Sequence, residues 1–405
     1  MVRNLPLGLR EALNMTLEAI DPLPPEEVDL LDGLDRALAE DVYAKVDSPS
    51  IHASLKDGYA VISRRVEGAT KAQPVRLKLA GCMAAGGEQD VTVMPDTTVR
   101  VLTGAKIPPG ADAVVAEEYV AADGEVITFF IHAEPGRNIL PKGSDVALNQ
   151  VVARRGSLLT PGLTGLLAAA GHSRLPVVRT PHVAIVATGD EVVAPGQPLP
   201  EGKLFASNIT TLGGWCRRFG MHTHLAVVKD AADEIYASLD HYAEEADAII
   251  TSGGAWTGDR DLVAQILEQL GWQQVFHRIR IGPGKAVGFG ILRGKPVFIL
   301  PGGPPSNLMG FLQIALPGLL KLGGHKSCGL PAAKVRLAEE QTGRFADWTQ
   351  FIYGTLEQAA DAPVFHALRS KSRLRSMAEA QAVVSIPEGL TRLSAGSVVT
   401  AQLLV

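Results

Sequence analysis

His182-Val-Ala-Ile-Val-Ala-Thr-Gly-Asp-Glu191 is an almost unbroken apolar run that stops at a glycine turn followed by two carboxylates. A strand covered on both faces reads as such a run, whereas a strand with one wet face alternates. The same grammar continues downstream. A helix is expected over residues 207–219, with Ser207 or Asn208 as its cap. Then come a strand over 225–228, a helix over 231–245, a strand over 248–251, a helix over 261–270, a strand over 296–300 and a helix after Pro305. Apolar strands alternating with amphipathic helices imply a doubly wound parallel sheet with helices on both faces.

Outward from this unit the texture changes. Residues 48–146 carry short β segments (75–79, 97–102, 113–117 and 125–131) between turn signals such as Ala122-Asp-Gly124. They read as a small inserted β domain. Before them, residues 1–47 read as helical: an amphipathic stretch to Ile20, a second helix over 26–40 behind the prolines, and a short strand over 42–46. A further helix is expected over 158–171, with Pro161 in its first turn and Gly171 closing it. Residues 329–405 return to β texture. The expected division is 1–47 with 147–178 as a discontinuous helical domain, 48–146 as the insert, 179–328 as the α/β domain and 329–405 as a small all-β domain.

Bulk properties exclude several classes. Apolar residues make up 46% and charged residues 20% of the 405, which is ordinary globular usage. A net charge of −5 recruits neither nucleic acid nor an anionic membrane through its overall field. Three scattered cysteines, Cys82, Cys216 and Cys328, suit neither a disulfide framework nor structural zinc. The longest apolar stretch is interrupted by Gln313, Pro317 and Lys321 and is too short to span a bilayer. Glu11 and Glu18 break any signal-peptide core. A soluble, cytoplasmic protein is expected.

In doubly wound sheets, ligands sit beyond the carboxyl ends of the strands. Here those ends run into Thr188-Gly189-Asp190-Glu191, Lys229-Asp230, Ser252-Gly253-Gly254 through Gly258 to Asp261, and Pro301-Gly302-Gly303 through Ser306 to Asn307. Glycines let backbone N–H groups approach phosphate oxygens, and carboxylates on the same rim can hold Mg²⁺. The pattern points to a phosphorylated ligand with a divalent cation. The plainer alternative makes each loop only a turn, and Asp190 and Asp261 only helix caps. Lys285 follows a tight turn and a segment bearing His277, Arg278 and Arg280; spacing alone leaves an anion-binding lysine and a solvated edge strand equally open. Asp57-Gly58 reads first as a hairpin turn. The run Arg369-Ser-Lys-Ser372-Arg-Leu-Arg-Ser-Met377 is either a solvated surface or a site for a small oxyanion. His222 and His224, two apart on one strand face, read as structural.

Taken together, Ser54-x-x-Asp57-Gly-Tyr-Ala60, Thr103-Gly-Ala105, Gly143-x-Asp145, Thr188-Gly-Asp-Glu191, Ser252-Gly-Gly254 with Gly258-Asp-Arg-Asp261, Pro283-Gly-Lys285, Leu300-Pro-Gly-x-Pro-x-Ser306 and Ser372-Arg-Leu-x-Ser376-Met resemble the molybdenum insertases. This is the MoeA family, which includes the gephyrin E domain, and the resemblance runs through essentially the whole chain. It implies an L-shaped homodimer of four domains whose last is a β-barrel. The family's activity is insertion of molybdate, or tungstate, into adenylyl-molybdopterin with Mg²⁺-dependent hydrolysis and release of AMP. By resemblance, Asp57, Glu191, Asp230 and Asp261 are catalytic, with Asp57 and Thr103 arriving from the partner subunit. Asp145, Glu191 and Asp261 match metal positions, Lys285 and Ser306 line the oxyanion or phosphate pocket, and Arg280, Arg369 and Ser372 join the substrate contacts with the glycine loops. No nucleic-acid or membrane partner is implied.

The chain departs from the family pattern at Lys56, Trp256, Gly282, Ala286 and Gly303. Gly282 stands where a lysine is usual, which removes a charge-assisted contact typically worth about 1.5–3 kcal/mol. Arg280, two residues earlier, is expected on the same strand face and could compensate. These departures motivate a rival reading as a non-catalytic molybdopterin carrier. A weaker rival is an unrelated nucleotide phosphohydrolase.

Overall fold

The computed structural model describes residues 7–87, 91–253, 262–369 and 372–404. Its centre is a six-stranded sheet in the order His222–Val228, His182–Thr188, Ala248–Ser252, Lys295–Leu300, Gly288–Leu292, Gln273–His277. The first four strands are parallel. The last two form an antiparallel extension that the sequence reading did not anticipate. Side chains alternate across a pleated strand, and both faces are covered. Val183, Ile185, Ile250, Phe298 and Leu300 pack under the helices Leu9–Glu18, Ser207–Arg218 and the run from Pro304 to Leu322. Ala184, Val186, Ile249, Val297 and Ile299 pack under Ala232–Glu245 and Leu262–Gln269.

Residues 26–40 do not form the expected helix. Pro25–Asp29 is a strand paired antiparallel with Arg174–Val178, and the chain then turns through Asp35 at φ +62°. Leu31 and Leu34 are exposed, while Val28 and Leu30, on a period of two, are drawn inward. The strand over 42–46 shrinks to Val42–Tyr43, paired with Val151–Ala153. Pro161–Ala169 is helical, started by the Thr160 hydroxyl accepting the Leu163 amide and closed at Gly171, φ +92°. The first helix, Leu9–Glu18, packs not with these strands but on the helical run Phe311–Leu322 and the edge strand Gln273–His277 of the large sheet, with Ala12 in the shared core.

The inserted segment is a curled six-stranded sheet: Ala113–Ala116, Gly58–Val61, Thr97–Val101, Val75–Met83, Val126–Phe129, Val120–Asp123. At the C-terminal end, Thr349–Glu357, Val364–Ala367, Ala332–Leu337, Val398–Leu403 and Ala382–Ile386 close on themselves. The last strand pairs back with the first, making a five-stranded barrel around Val335, Phe365 and Val384. Ile281–Gly282 runs parallel to the start of Thr349–Glu357, so the barrel is stitched directly to the α/β unit. Among the described residues no helix is long and apolar enough to cross a membrane.

One ion pair fixes the entry into the central sheet. Arg179 donates to both carboxylate oxygens of Asp247, Nη1 to Oδ2 at 2.8 Å and Nη2 to Oδ1 at 2.5 Å, and the His182 amide donates to Oδ2 at 2.9 Å. Burial works to raise the Asp247 pKa, but the bonds from Arg179 and His182 prevail and hold it below the usual carboxylate range. A depressed carboxylate pKa contributes stability that is present above the unfolded value, about 3.9, and lost as pH falls through the folded one. Asp247→Asn should therefore destabilise the protein by roughly 1.5–3 kcal/mol at neutral pH. The gap to wild type should narrow below about pH 4, as followed by urea denaturation across a pH series.

Candidate functional site

Three strand ends meet at the carboxyl edge of the central sheet. Gly253 leaves Ala248–Ser252 at φ +113°, and a Cβ there would lie 2.5 Å from the Thr188 carbonyl oxygen. Only glycine permits that approach. On the other side, a Cβ on Gly302 would lie 3.8 Å from the Gly253 Cα. Two amides sew the loops together. Asn307 Nδ2 donates to Ser252 Oγ and to the Pro301 carbonyl, both at 3.0 Å. Asn208 Nδ2 donates to the Gly302 carbonyl at 2.8 Å and to Ser252 Oγ at 3.3 Å. Asn208 therefore does not cap its helix, and neither does Ser207, since Ala206 occupies the cap position without a side-chain bond. The Thr188 hydroxyl, beside Gly253, is buried with no hydrogen-bond partner among the described residues. A buried hydroxyl without a partner is costly unless a ligand or water completes it.

Carboxylates flank this cradle. Asp190 is followed by the short strand Val192–Val193, not by a helix, so its reading as a cap fails. Its Oδ1 accepts the Asp230 amide at 3.3 Å, and its carbonyl accepts Lys203 Nζ. Burial raises the Asp230 pKa, and the charges of Glu191 and Asp190 raise it further. Like charges held together this way favour a cation between them. Among the described residues no three His, Cys, Asp or Glu side chains are arranged to hold a metal ion. Mg²⁺, however, is commonly held by one or two carboxylates, with water and phosphate oxygens filling the octahedron. A pair drawn from Asp190, Glu191 and Asp230 suits that habit. Gly254, Trp256, Gly258 and Asp261 lie outside the described residues.

The Lys285 turn stands against the same edge. A Cβ on Gly284, φ +114°, would lie 3.2 Å from the Ser306 carbonyl oxygen and 3.3 Å from the Gly310 nitrogen, so the turn abuts the helix Pro304–Gly310. Lys285 itself is exposed. The strand before it, Gln273–His277, is the edge of the central sheet and exposed at its start, but its end is not solvated: His277 is buried, and burial lowers its pKa, helped by the charge of Arg278. Arg280 corrects another expectation. Its Nε donates to the Asp347 carbonyl at 2.9 Å and its Nη2 to Glu388 at 3.3 Å, so its charge is committed to the junction with the barrel. It does not stand in for the lysine missing at Gly282. A Cβ on Gly282 would meet only Gln350 and Trp348, at 3.7 and 3.8 Å, which leaves room for a side chain.

The two insert motifs form one unit. Asp57 Oδ1 accepts the Thr103 amide at 2.6 Å and its hydroxyl at 2.7 Å. These bonds, backbone first, and the Arg100 charge outweigh burial and keep the Asp57 pKa below the usual range. Behind them the Gly104 amide donates to the Ser54 carbonyl at 2.8 Å. Asp57-Gly58 is not a hairpin turn, because the strands on either side pair with different partners. A Cβ on Gly58 would lie 2.2 Å from the Val115 carbonyl, which fixes glycine there. No hydrogen bond or ion pair among the described residues joins Asp57 or Thr103 to the strand-end loops. The same holds for Asp145, exposed in the turn whose amide bonds Ser48 at 2.9 Å. Arg369 pairs with Glu339 at 2.8 Å, and the Ser372 hydroxyl caps the helix Arg373–Glu379. That helix packs on Pro304–Gly310, bringing the basic run towards the strand-end rim. Sequence reasoning missed the bridging role of Asn208 and Asn307. Their partners lie up to 94 residues away, and no local spacing announces them.

Comparison with known proteins agrees with this geometry. Residues 7–171 match the family described as "MoeA N-terminal region (domain I and II)", and residues 184–321 match "Probable molybdopterin binding domain". Molybdopterin molybdenumtransferase 2 of Mycobacterium tuberculosis is 32% identical, covering 96% of this chain and 98% of that one. Molybdopterin molybdenumtransferase of Staphylococcus epidermidis is 27% identical, covering 98% and 95%. The crystal structure of a molybdopterin biosynthesis MoeA protein from Pyrococcus horikoshii OT3 superposes with a TM-score of 0.85 at 27% identity, covering 98% of this chain and 99% of that one. On full-length sequence identity and shared architecture, the chain belongs to the MoeA family of molybdopterin molybdenumtransferases.

Proposed function

We propose that this protein inserts molybdate or tungstate into adenylyl-molybdopterin, with Mg²⁺-dependent hydrolysis of the phosphoanhydride and release of AMP. The observation that carries the reading is the glycine-walled cradle of Thr188, Gly253 and Gly302, with the Thr188 hydroxyl, unpartnered among the described residues, inside it and Asp190, Glu191 and Asp230 at its lip. Backbone amides and the Thr188 and Ser252 hydroxyls would bind the phosphates and orient the pterin. Glu191, Asp230 and Asp261 would hold Mg²⁺, which when bound supplies Lewis-acid polarisation of the phosphoanhydride. Lys285, with Ser306 beside its turn and Arg369 and Ser372 on the barrel side, would hold the oxyanion. The protein acts in the cytoplasm as a homodimer. Asp57, kept ionised by Thr103, and Asp145 serve the partner's site, which suits their separation from the strand ends in their own chain.

The decisive experiment is AMP release from adenylyl-molybdopterin with Mg²⁺, titrated with molybdate and separately with tungstate. Release should require an oxyanion. Tight binding without release would replace the insertase reading with that of a carrier. Asp261→Asn should slow release by about 10²–10³-fold at an unchanged melting temperature, and full turnover would remove Asp261 from the mechanism.

A complementation assay addresses the shared site. Asp57→Asn and Asp230→Asn chains should each be inactive alone and should regain activity when mixed, because one site of the mixed dimer is then intact. Failure of the mixture would place both groups in one chain's site.

The lip carboxylates also make a stability prediction. Since Glu191 and Asp190 disfavour the ionised Asp230, Asp230→Asn should raise the melting temperature of the metal-free protein at neutral pH and diminish the further rise caused by Mg²⁺. A lower melting temperature in both conditions would mean that Asp230 is structural.

A further inference from the structure

Away from the strand-end rim, at the seam between the strands around Val178 and the C-terminal end of the helix Leu316–Leu322, lies a cleft of about 870 Å³. Small-molecule sites commonly occupy about 300–1,000 Å³. Its charges do not cancel. Arg154 and Asp41 pair with each other at 3.0 Å, and Asp41 also accepts the Arg155 amide. That leaves Arg155, Lys321 and Lys326 facing the cleft, with Asp21 as the remaining carboxylate on its wall. None of these three cations has a side-chain hydrogen bond or ion pair among the described residues. Lys326 is laid along Gly156, where a Cβ would stand 2.8 Å from its Cγ, so its stem is held in place by the wall. Leu17, Pro22, Leu38 and Val178 give the rest of the wall an apolar face, beside His325. Unneutralised like charges around a low-dielectric cleft concentrate anions there.

We infer that this cleft binds a phosphomonoester of nucleotide size, with its dianionic phosphate among Arg155, Lys321 and Lys326 and its ring against Leu17, Pro22 and Val178. The surplus of two positive charges matches such a phosphate, and a bare oxyanion would leave most of the volume and the apolar wall unused. The site is independent of the strand-end cradle and of the activity proposed for it.

Cys328 reports on the cleft directly. It lies in the wall, half-buried, with its thiol donating to the His325 carbonyl at 3.1 Å, while Cys82 is exposed elsewhere and Cys216 is buried. Alkylation of the full-length protein, read peptide by peptide by mass spectrometry, should show AMP slowing modification of Cys328 saturably and leaving Cys82 untouched. Adenosine should not protect, and inorganic phosphate should protect only at concentrations at least tenfold higher. The double variant Arg155→Gln/Lys326→Gln should raise the AMP midpoint at least tenfold, each variant being compared with its own ligand-free rate. Lys285→Gln, which alters the strand-end rim, should leave the midpoint unchanged. The inference is overturned if AMP at millimolar concentration leaves Cys328 unprotected, if adenosine protects equally, if phosphate protects as well as AMP, or if the double variant is protected like wild type. A shift of the midpoint with Lys285→Gln would overturn it too, by assigning the AMP effect to the rim.

Discussion

The molecule turns on how closely three strand ends can approach. Where Ala248–Ser252 finishes, the backbone comes so near the Thr188 carbonyl that even a methyl group would collide with it. Gly302 completes the row from the next strand. Glycine at these positions loses conformational entropy on ordering and offers no side chain to pack, and two asparagine amides, Asn208 and Asn307, make good part of the loss by tying the loops to one another. The result is a wall made of backbone. Apart from the Thr188 and Ser252 hydroxyls, side-chain chemistry is confined to its margins, as an anionic lip on one flank and a lysine turn on the other.

That wall is not the property of the α/β unit alone. Ile281–Gly282 adds itself to the barrel as a parallel strand, Arg280 is held by Asp347 and Glu388, and the helix Arg373–Glu379 leans on Pro304–Gly310. The position of the Lys285 turn is thus set jointly by the sheet beneath it and the barrel beside it. The insert stands apart from this arrangement. Its chemistry is preassembled, with Asp57 clamped by Thr103, and among the described residues no hydrogen bond or ion pair joins that pair to the strand-end loops.

Much of this was legible from local pattern. The apolar runs at 182–188, 248–251 and 296–300 identified the buried strands because burial on both faces leaves no polar positions. Thr188-Gly189, Ser252-Gly253 and Pro301-Gly302 identified the rim because loop chemistry at strand ends is local. What failed was decided by distant partners. Residues 26–40 have helical spacing, yet the unpaired edge of Arg174–Val178 claims their backbone. Arg280 looked like a spare cation until the barrel's Glu388 was beside it. Asn208 looked like a helix cap because nothing in its neighbourhood reveals a carbonyl 94 residues later. At Asp57-Gly58 the local pattern offered only a hairpin turn, and the strands on either side pair instead with different, distant partners.

The pairing of Pro25–Asp29 with Arg174–Val178 has a consequence for how the chain is made. Synthesis proceeds at about 5–20 residues per second, so the first strand waits roughly seven to thirty seconds at the ribosome for its partner. In that interval the entire insert emerges and can close its own sheet from strands all born within it. The early segment is the exposed party. Glu26, Glu27 and Asp29 along that strand give it a charged edge, which resists pairing with neighbouring nascent chains while it waits.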